Sequence, residues 1–164
     1  MKRETVPRTG AGAIVRQAEQ ELREYFAGRR RTFTVKLDLE GTEFQRKAWQ
    51  AMRKIPFGET ISYGDQARKV GKPKAYRAVG SANGKNPIPI IVPCHRVLAS
   101  DGSLGGYSLG LSMKRRLLAL EGVSVAELIR STHAGDRRVT LRQVGRTRRH
   151  VVRATSPTSH VRRR

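Results

Sequence analysis

Cys94 is the only cysteine of the chain, and it stands directly before His95 and Arg96. A thiol attacks only as its thiolate, so a cysteine meant for chemistry needs a base or a positive charge nearby. Histidine is the side chain that most readily exchanges a proton near neutral pH. Taken alone, the pair fits an inert core thiol beside a solvent-facing imidazole better than a nucleophile with its base. A single cysteine does exclude an internal disulfide and a multi-cysteine zinc site, which points to a reducing compartment.

The elements that would position this thiol can be read outward from it. Residues 87–93 are apolar, with prolines at 87, 89 and 93. Each proline fixes its own φ and biases the residue before it to extended backbone, which predicts a rigid buried strand ending just before the thiol. Upstream, Pro73 suits the first turn of a helix running to Ala82 or Asn83 and ending at Gly84. Its small residues Ala75, Ala78, Gly80, Ser81 and Ala82 would let the backbone approach another surface, and Arg77 stands among them. A shorter helix, capped by Ser62 and ended by Gly71, precedes it, and two short helices joined by a Gly-containing turn are a helix-turn-helix candidate. Thr42-Glu43-Phe44-Gln45 offers a capping box, and Phe44, Ala48, Met52 and Ile55 form the apolar stripe of the helix it starts, with Trp49 beside them and Pro56 as the stop.

Residues 1–12 read as a frayed terminus. From Ala13 the apolar positions Val15, Ala18, Leu22, Tyr25 and Phe26 recur at helical spacing, and Gly28 is placed to end that helix. Phe33, Val35, Leu37 and Leu39 then alternate with Thr34, Lys36 and Asp38, which predicts a half-buried strand with no evident partner. Downstream of the thiol a Gly- and Ser-rich loop covers 100–108. Ser112 is the predicted cap of a last helix that packs through Leu117, Leu118 and Leu120 and ends at Gly122.

Lys and Arg number 34 against 13 Asp and Glu, a formal net charge of +21, so polyanions are the natural partners. Residues 126–164 carry eleven arginines against Glu127 and Asp136, a net +9, with too few aliphatic residues to offset the cost of ordering; a disordered arm is predicted there. A chain of 164 residues fits one ordinary domain, or a domain plus an appendage. It has no apolar run near the roughly 18 residues of a membrane span, and residues 1–12 lack the apolar core of a signal peptide, so a soluble, cytoplasmic protein is expected.

Gly41-Thr42-Glu43-Phe44-Gln45, Ile55-Pro56-Phe57-Gly58-Glu59-Thr60, Ser62-Tyr63-Gly64, Arg77-Ala78-Val79-Gly80, Asn86-Pro87, Pro93-Cys94-His95-Arg96-Val97, Gly105-Gly106-Tyr107 and the stretch from Lys114 to Glu121-Gly122 occur in one order. In that order they resemble the methylated-DNA-protein-cysteine methyltransferases, which repair 6-O-alkylguanine. The resemblance covers half the chain. It implies a mainly α (α+β) fold: a winged helix-turn-helix-like catalytic domain at 41–125, preceded at 1–40 by a truncated remnant of an α/β N-terminal domain and followed by the tail at 126–164. It implies direct, irreversible alkyl transfer to Cys94, with His95 activating the thiol through a water, Glu121 orienting His95, Asn86 bracing the turn before the thiol, and Tyr63 and the Ser108 region meeting the charge of the departing guanine. Tyr107 and Ser108 would contact substrate. Ala75, Ala78 and Gly80 would line the DNA-facing helix, and Arg77 would fill the stack vacated by a flipped base. The implied partner is double-stranded DNA containing alkylated guanine, bound by a monomer without cofactor or metal; the zinc ligands of some relatives have no cysteine counterparts here. Tyr76 departs from the pattern, where a small residue is more usual on that helix. The competing classes are a damage-binding relative that holds alkylguanine without transfer, against which Cys94 speaks but to which a shortened N-terminus that impairs transfer would reduce the chain, a basic packaging protein and a cysteine hydrolase.

Overall fold

The structure is a computed structural model and describes residues 8–124, so the arm predicted at 126–164 lies outside the described residues. In chain order the elements are α1 (Arg8–Phe26), α2 (Glu43–Arg53), β1 (Ile61–Ser62), α3 (Tyr63–Lys69), α4 (Tyr76–Gly84), a 3-10 turn (Cys94–Arg96), β2 (Val97–Leu98) and α5 (Leu111–Leu120). The chain is therefore helix-rich with one small sheet, as the expected mainly α (α+β) class requires. That sheet is a parallel pair, with Ile61 opposite Val97 and Ser62 opposite Leu98.

Local chemistry starts α2 and α3 where the sequence places them. Gln45 N–H donates to Thr42 Oγ1 at 3.2 Å and Thr42 N–H donates to Gln45 Oε1 at 2.8 Å, which closes the capping box of α2. Ser62 caps α3 in the same way, its hydroxyl accepting from Asp65 N–H at 3.0 Å. The apolar face of α2 then builds the core: Trp49 and Met52, with Ile55 just past the helix end, pack with Val92, Cys94 and Val97. Trp49 Nε1 donates to Ala82 O at 2.8 Å, so the indole is tied to α4 as well as buried. Between α2, α3 and α4, Gln66 and Asn83 exchange reciprocal amide hydrogen bonds at 2.7 and 3.0 Å, and Gln66 also donates to Ala48 O at 3.0 Å. This fully paired polar network fixes the two short helices against the long one.

Several expectations are corrected. α1 begins at Arg8, so part of the terminus expected to fray is helical, and Val15 and Phe26 lie 65% and 50% exposed on it while Tyr25 is fully buried. Residues 33–39 alternate in burial as predicted, yet they form no strand, because nothing among the described residues pairs with their backbone; Thr34 and Val35 N–H donate to the Glu21 carboxylate instead. Residues 87–93 are a turn, exposed at Pro87 and buried only from Ile91 to Pro93, rather than a buried strand. Prolines at 87, 89 and 93 have no N–H for a ladder, Val92 N–H turns back to Ile88 O at 3.0 Å, and Ile90 takes φ 78, a left-handed value costly for a β-branched residue. Pro73 sits in a turn closed by Ala75 N–H to Lys72 O at 2.8 Å, so α4 starts three residues later. Ser112 lies inside α5, whose N-cap is Gly110.

Candidate active site

Asn86 determines how the thiol is held. It lies just past Lys85, the C-cap of α4, and its Nδ2 donates to Val92 O at 2.8 Å and to Cys94 Sγ at 3.2 Å, while its Oδ1 accepts from Ile88 N–H at 3.1 Å. One side chain thus pins both ends of the proline turn and places a donor on the sulfur. Cys94, 5% exposed, opens the 3-10 turn. Burial pushes the thiol up from its ordinary pKa; the Asn86 hydrogen bond and the charge of Lys114 oppose that rise.

Behind the thiol lies a carboxylate that five donors reach. Glu121, at the C-terminal end of α5, accepts on Oε1 from Tyr25 Oη at 2.7 Å, Arg96 Nη2 at 2.8 Å and His95 Nε2 at 2.9 Å, and on Oε2 from Arg96 Nε at 2.9 Å and Gly58 N–H at 3.2 Å. Burial alone would raise its pKa, but the His95 and Arg96 hydrogen bonds and charges outweigh it and hold Glu121 at about 2. An ionised carboxylate only accepts, so Nε2 of His95 carries the hydrogen and the lone pair is on Nδ1. Nδ1 is buried and has no protein partner. Burial lowers the His95 pKa, against the pull of Glu121, so the imidazole is neutral near pH 7 and can accept a proton at Nδ1.

The thiol opens on a cavity of about 220 Å³ lined by Tyr63, Gly80, Asn83, Gly84, Cys94, Gly106, Tyr107 and Ser108. Tyr63 rests against Gly105, where an added Cβ would lie 3.0 Å from ring atom Cε2 and 3.1 Å from the hydroxyl; with φ +61 there as well, only glycine fits. Burial raises the Tyr63 pKa, and Cys94 adds to the rise, so the phenol stays protonated as a donor. The Tyr107 hydroxyl is buried without a partner. Lys114, fully buried on α5, holds this wall in place: its Nζ donates to Val97 O at 2.6 Å, to Leu104 O, and to Gly106 O at 3.4 Å. Burial draws its pKa down to about 8, with Cys94 pulling the other way.

Cys94, Tyr63, Tyr107, Ser108 and Gly80 thus line one cavity, with Asn86 bonded to the Cys94 sulfur and the adjacent His95 bonded to Glu121. Arg77 and Ala78 are exposed on α4, and Ala75 is its N-cap; none of the three lines the cavity. The Arg77 guanidinium lies 5.7 Å from the ring centroid of Tyr76, itself 49% exposed, so this pair shares the outer face of the helix. Sequence reasoning missed Arg96, Tyr25, Asn83 and Lys114 as parts of the site. Arg96 carried a signal, since it follows His95 directly; Tyr25 read as one more apolar position of a helix. Among the described residues no cluster of His, Cys, Asp and Glu could hold a metal ion, and no helix is long and apolar enough to cross a membrane.

A thiol in a cavity wall, backed by a histidine–carboxylate pair and flanked by two short helices, defines a class of protein whose members can be compared directly. The model of the 6-O-methylguanine DNA methyltransferase DNA-binding domain matches residues 43–123. The methylated-DNA–protein-cysteine methyltransferase of Methanosarcina acetivorans is 56% identical over 107 residues, 65% of this chain and 69% of that protein. Its counterpart in Mycolicibacterium paratuberculosis is 54% identical over 115 residues, 70% of this chain and 67% of that one. Among solved structures, Mycobacterium tuberculosis OGT in complex with DNA superposes with a TM-score of 0.64 at 51% identity, covering 69% of this chain and 72% of that one. The chain belongs to the methylated-DNA–protein-cysteine methyltransferase family.

Proposed function

We infer that the chain repairs DNA by transferring an alkyl group from 6-O-alkylguanine directly to Cys94, once per molecule. The observation that carries this reading is the placement of Cys94 in the wall of the cavity, with Asn86 on its sulfur and the His95–Glu121 pair behind it. At about 220 Å³ the cavity is smaller than the roughly 300–1,000 Å³ of drug-sized sites, so it suits a single base rather than a dinucleotide.

In this reading the Cys94 proton passes through a water to Nδ1 of His95, and Glu121 keeps Nε2 protonated so that Nδ1 remains the base. The thiolate attacks the alkyl carbon, the sulfur–carbon bond forms as the carbon–oxygen bond breaks, and guanine departs with the electron pair. Tyr63 donates a proton or a hydrogen bond to the departing base, with Ser108 near its oxygen, so the charge is met as it develops. His95 then releases the thiol proton to solvent and guanine, or the Tyr63 phenolate that protonated it, takes one up, so that overall one proton has passed from the thiol to guanine and the alkyl group to sulfur. The thioether has no acyl group for these residues to hydrolyse, so the protein acts once.

The partner is duplex DNA containing an alkylated guanine, bound by a monomer. A buried thiol cannot reach a stacked base, so the nucleotide is flipped out at a cost of a few kcal/mol. Arg77, on the exposed face of α4, fills the gap it leaves. Residues 41–125 are the catalytic domain, and 1–40 correspond to the end of an N-terminal α/β domain.

Intact-mass measurement tests the reading. Mixed with duplex containing 6-O-methylguanine, the protein gains one methyl group, on Cys94. Cys94→Ala gains none while binding that duplex nearly as tightly. A mass gain by this variant, or none by the native chain, refutes the assignment.

A further inference from the structure

We propose that Tyr25 is a positioning residue of the transfer reaction: from α1 its hydroxyl holds the Glu121 oxygen that orients His95, which makes the N-terminal helix part of the reaction machinery. The proposal rests on the alkyltransferase reading above.

Three features single Tyr25 out. It is fully buried, and its ring is fixed by an aromatic cluster, with centroids 5.4 Å from Phe26, 5.4 Å from Phe33 and 6.1 Å from Phe57. A phenylalanine would fill that site equally well, so packing does not call for the hydroxyl. The hydroxyl makes one side-chain contact, with Glu121 Oε1 at 2.7 Å, the shortest of the five reaching the carboxylate. Burial, with Glu121 adding to it, raises the Tyr25 pKa far above the ordinary phenol range, so the group donates at every working pH.

Oε1 is shared. An oxygen of a carboxylate offers about two lone-pair directions, yet Tyr25, Arg96 and His95 all approach this one. The negative charge left for Nε2–H of His95 therefore depends on how much of it Tyr25 takes up. Around this pair, Arg96 comes from the 3-10 turn, Gly58 N–H from the turn after α2, Lys114 from α5, and Cys94 and Tyr107 from the cavity wall. All of these stay in place when only the Tyr25 hydroxyl is removed.

The direction of the effect follows. Without the Tyr25 donor, Oε1 is more basic, grips Nε2–H more strongly and stabilises the imidazolium. His95 then gives up its proton at higher pH, and the neutral form able to accept the Cys94 proton is scarcer on the acid side of neutrality.

The experiment uses the full chain and its Tyr25→Phe variant. Cys94 alkylation by free 6-O-methylguanine base is followed by mass between pH 5 and 9, and the His95 ring is titrated by NMR. A hydrogen bond to a charged group and the free energy of one pKa unit are of similar size, so the His95 midpoint should rise by roughly half a unit to one unit. The acid limb of the rate profile should move up with that midpoint, and the melting temperature should fall by several degrees, as the loss of one buried hydrogen bond to a charge requires. An unchanged midpoint, whether the rate is unchanged or falls uniformly with stability, overturns the proposal. Site-specific 3-fluorotyrosine at 25 is the second variant; its stronger donor should move the midpoint down, and no movement or an upward one also overturns it. If the native chain gains no methyl group from alkylated duplex, the failure belongs to the alkyltransferase reading; if it does and these midpoints stay still, the failure belongs to Tyr25.

Discussion

Arg96 follows the Cys-His pair in a strongly basic protein, and its position invites a role in contacting phosphate. The structure assigns it a different one. Arg96 is 5% exposed, gives two hydrogen bonds to Glu121 at 2.9 and 2.8 Å, and gives a third to Ile55 O at 2.6 Å. Arg96→Met keeps most of the volume, removes the buried cation, and leaves Glu121 ionised with only Tyr25, His95 and Gly58 as donors. Breaking a buried ion pair from one side costs about 3–5 kcal/mol, and the three remaining donors place this case near the lower figure. Against a typical total stability of about 5–15 kcal/mol, that is a large fraction. In urea titration the midpoint should fall by more than about 1 M with an unchanged slope. The melting temperature should fall by roughly 10 °C. A double-mutant cycle with Glu121→Gln should return a coupling of about 2 kcal/mol. A loss below about 1 kcal/mol, together with a salt slope of DNA binding shallower by about one, would instead identify Arg96 as a phosphate contact and refute the reasoning.

Two further outcomes can be measured on the same material. Arg77→Ala should slow repair of duplex far more than reaction with free alkylguanine base, because only the duplex needs an extruded nucleotide replaced; equal losses on both substrates would remove Arg77 from that role. The depressed pKa of Glu121 makes an acid limb: its contribution to stability is complete above about pH 4.5, its unfolded value, and is lost as pH falls toward 2, about 3 kcal/mol for the full shift. The melting temperature should therefore drop between pH 4.5 and 2, and the drop should be shallower in Glu121→Gln; an equal slope in both would show that other carboxylates account for it.

What the sequence by itself determined was local. Thr42 with Gln45, Ser62 with Asp65, and the C-terminal ends of α1 and α5 are decided by groups within about one helical turn, and such signals are legible without a partner in view. The ordered motifs from Gly41 to Gly122 carried the family, and with it the thiol, the histidine and the carboxylate. Tertiary structure alone decided which groups those residues meet. His95 and Arg96 reach Glu121 across 26 and 25 residues and Tyr25 across 96, and no periodicity encodes such separations. The same limit explains the strands. Residues 33–39 alternate as a strand should, but a strand exists only where another backbone accepts its hydrogen bonds, and here the Glu21 carboxylate takes two of the N–H groups. β1 and β2, two residues each, exist because the fold brings Ile61 beside Val97, a pairing too short to leave a pattern in the sequence.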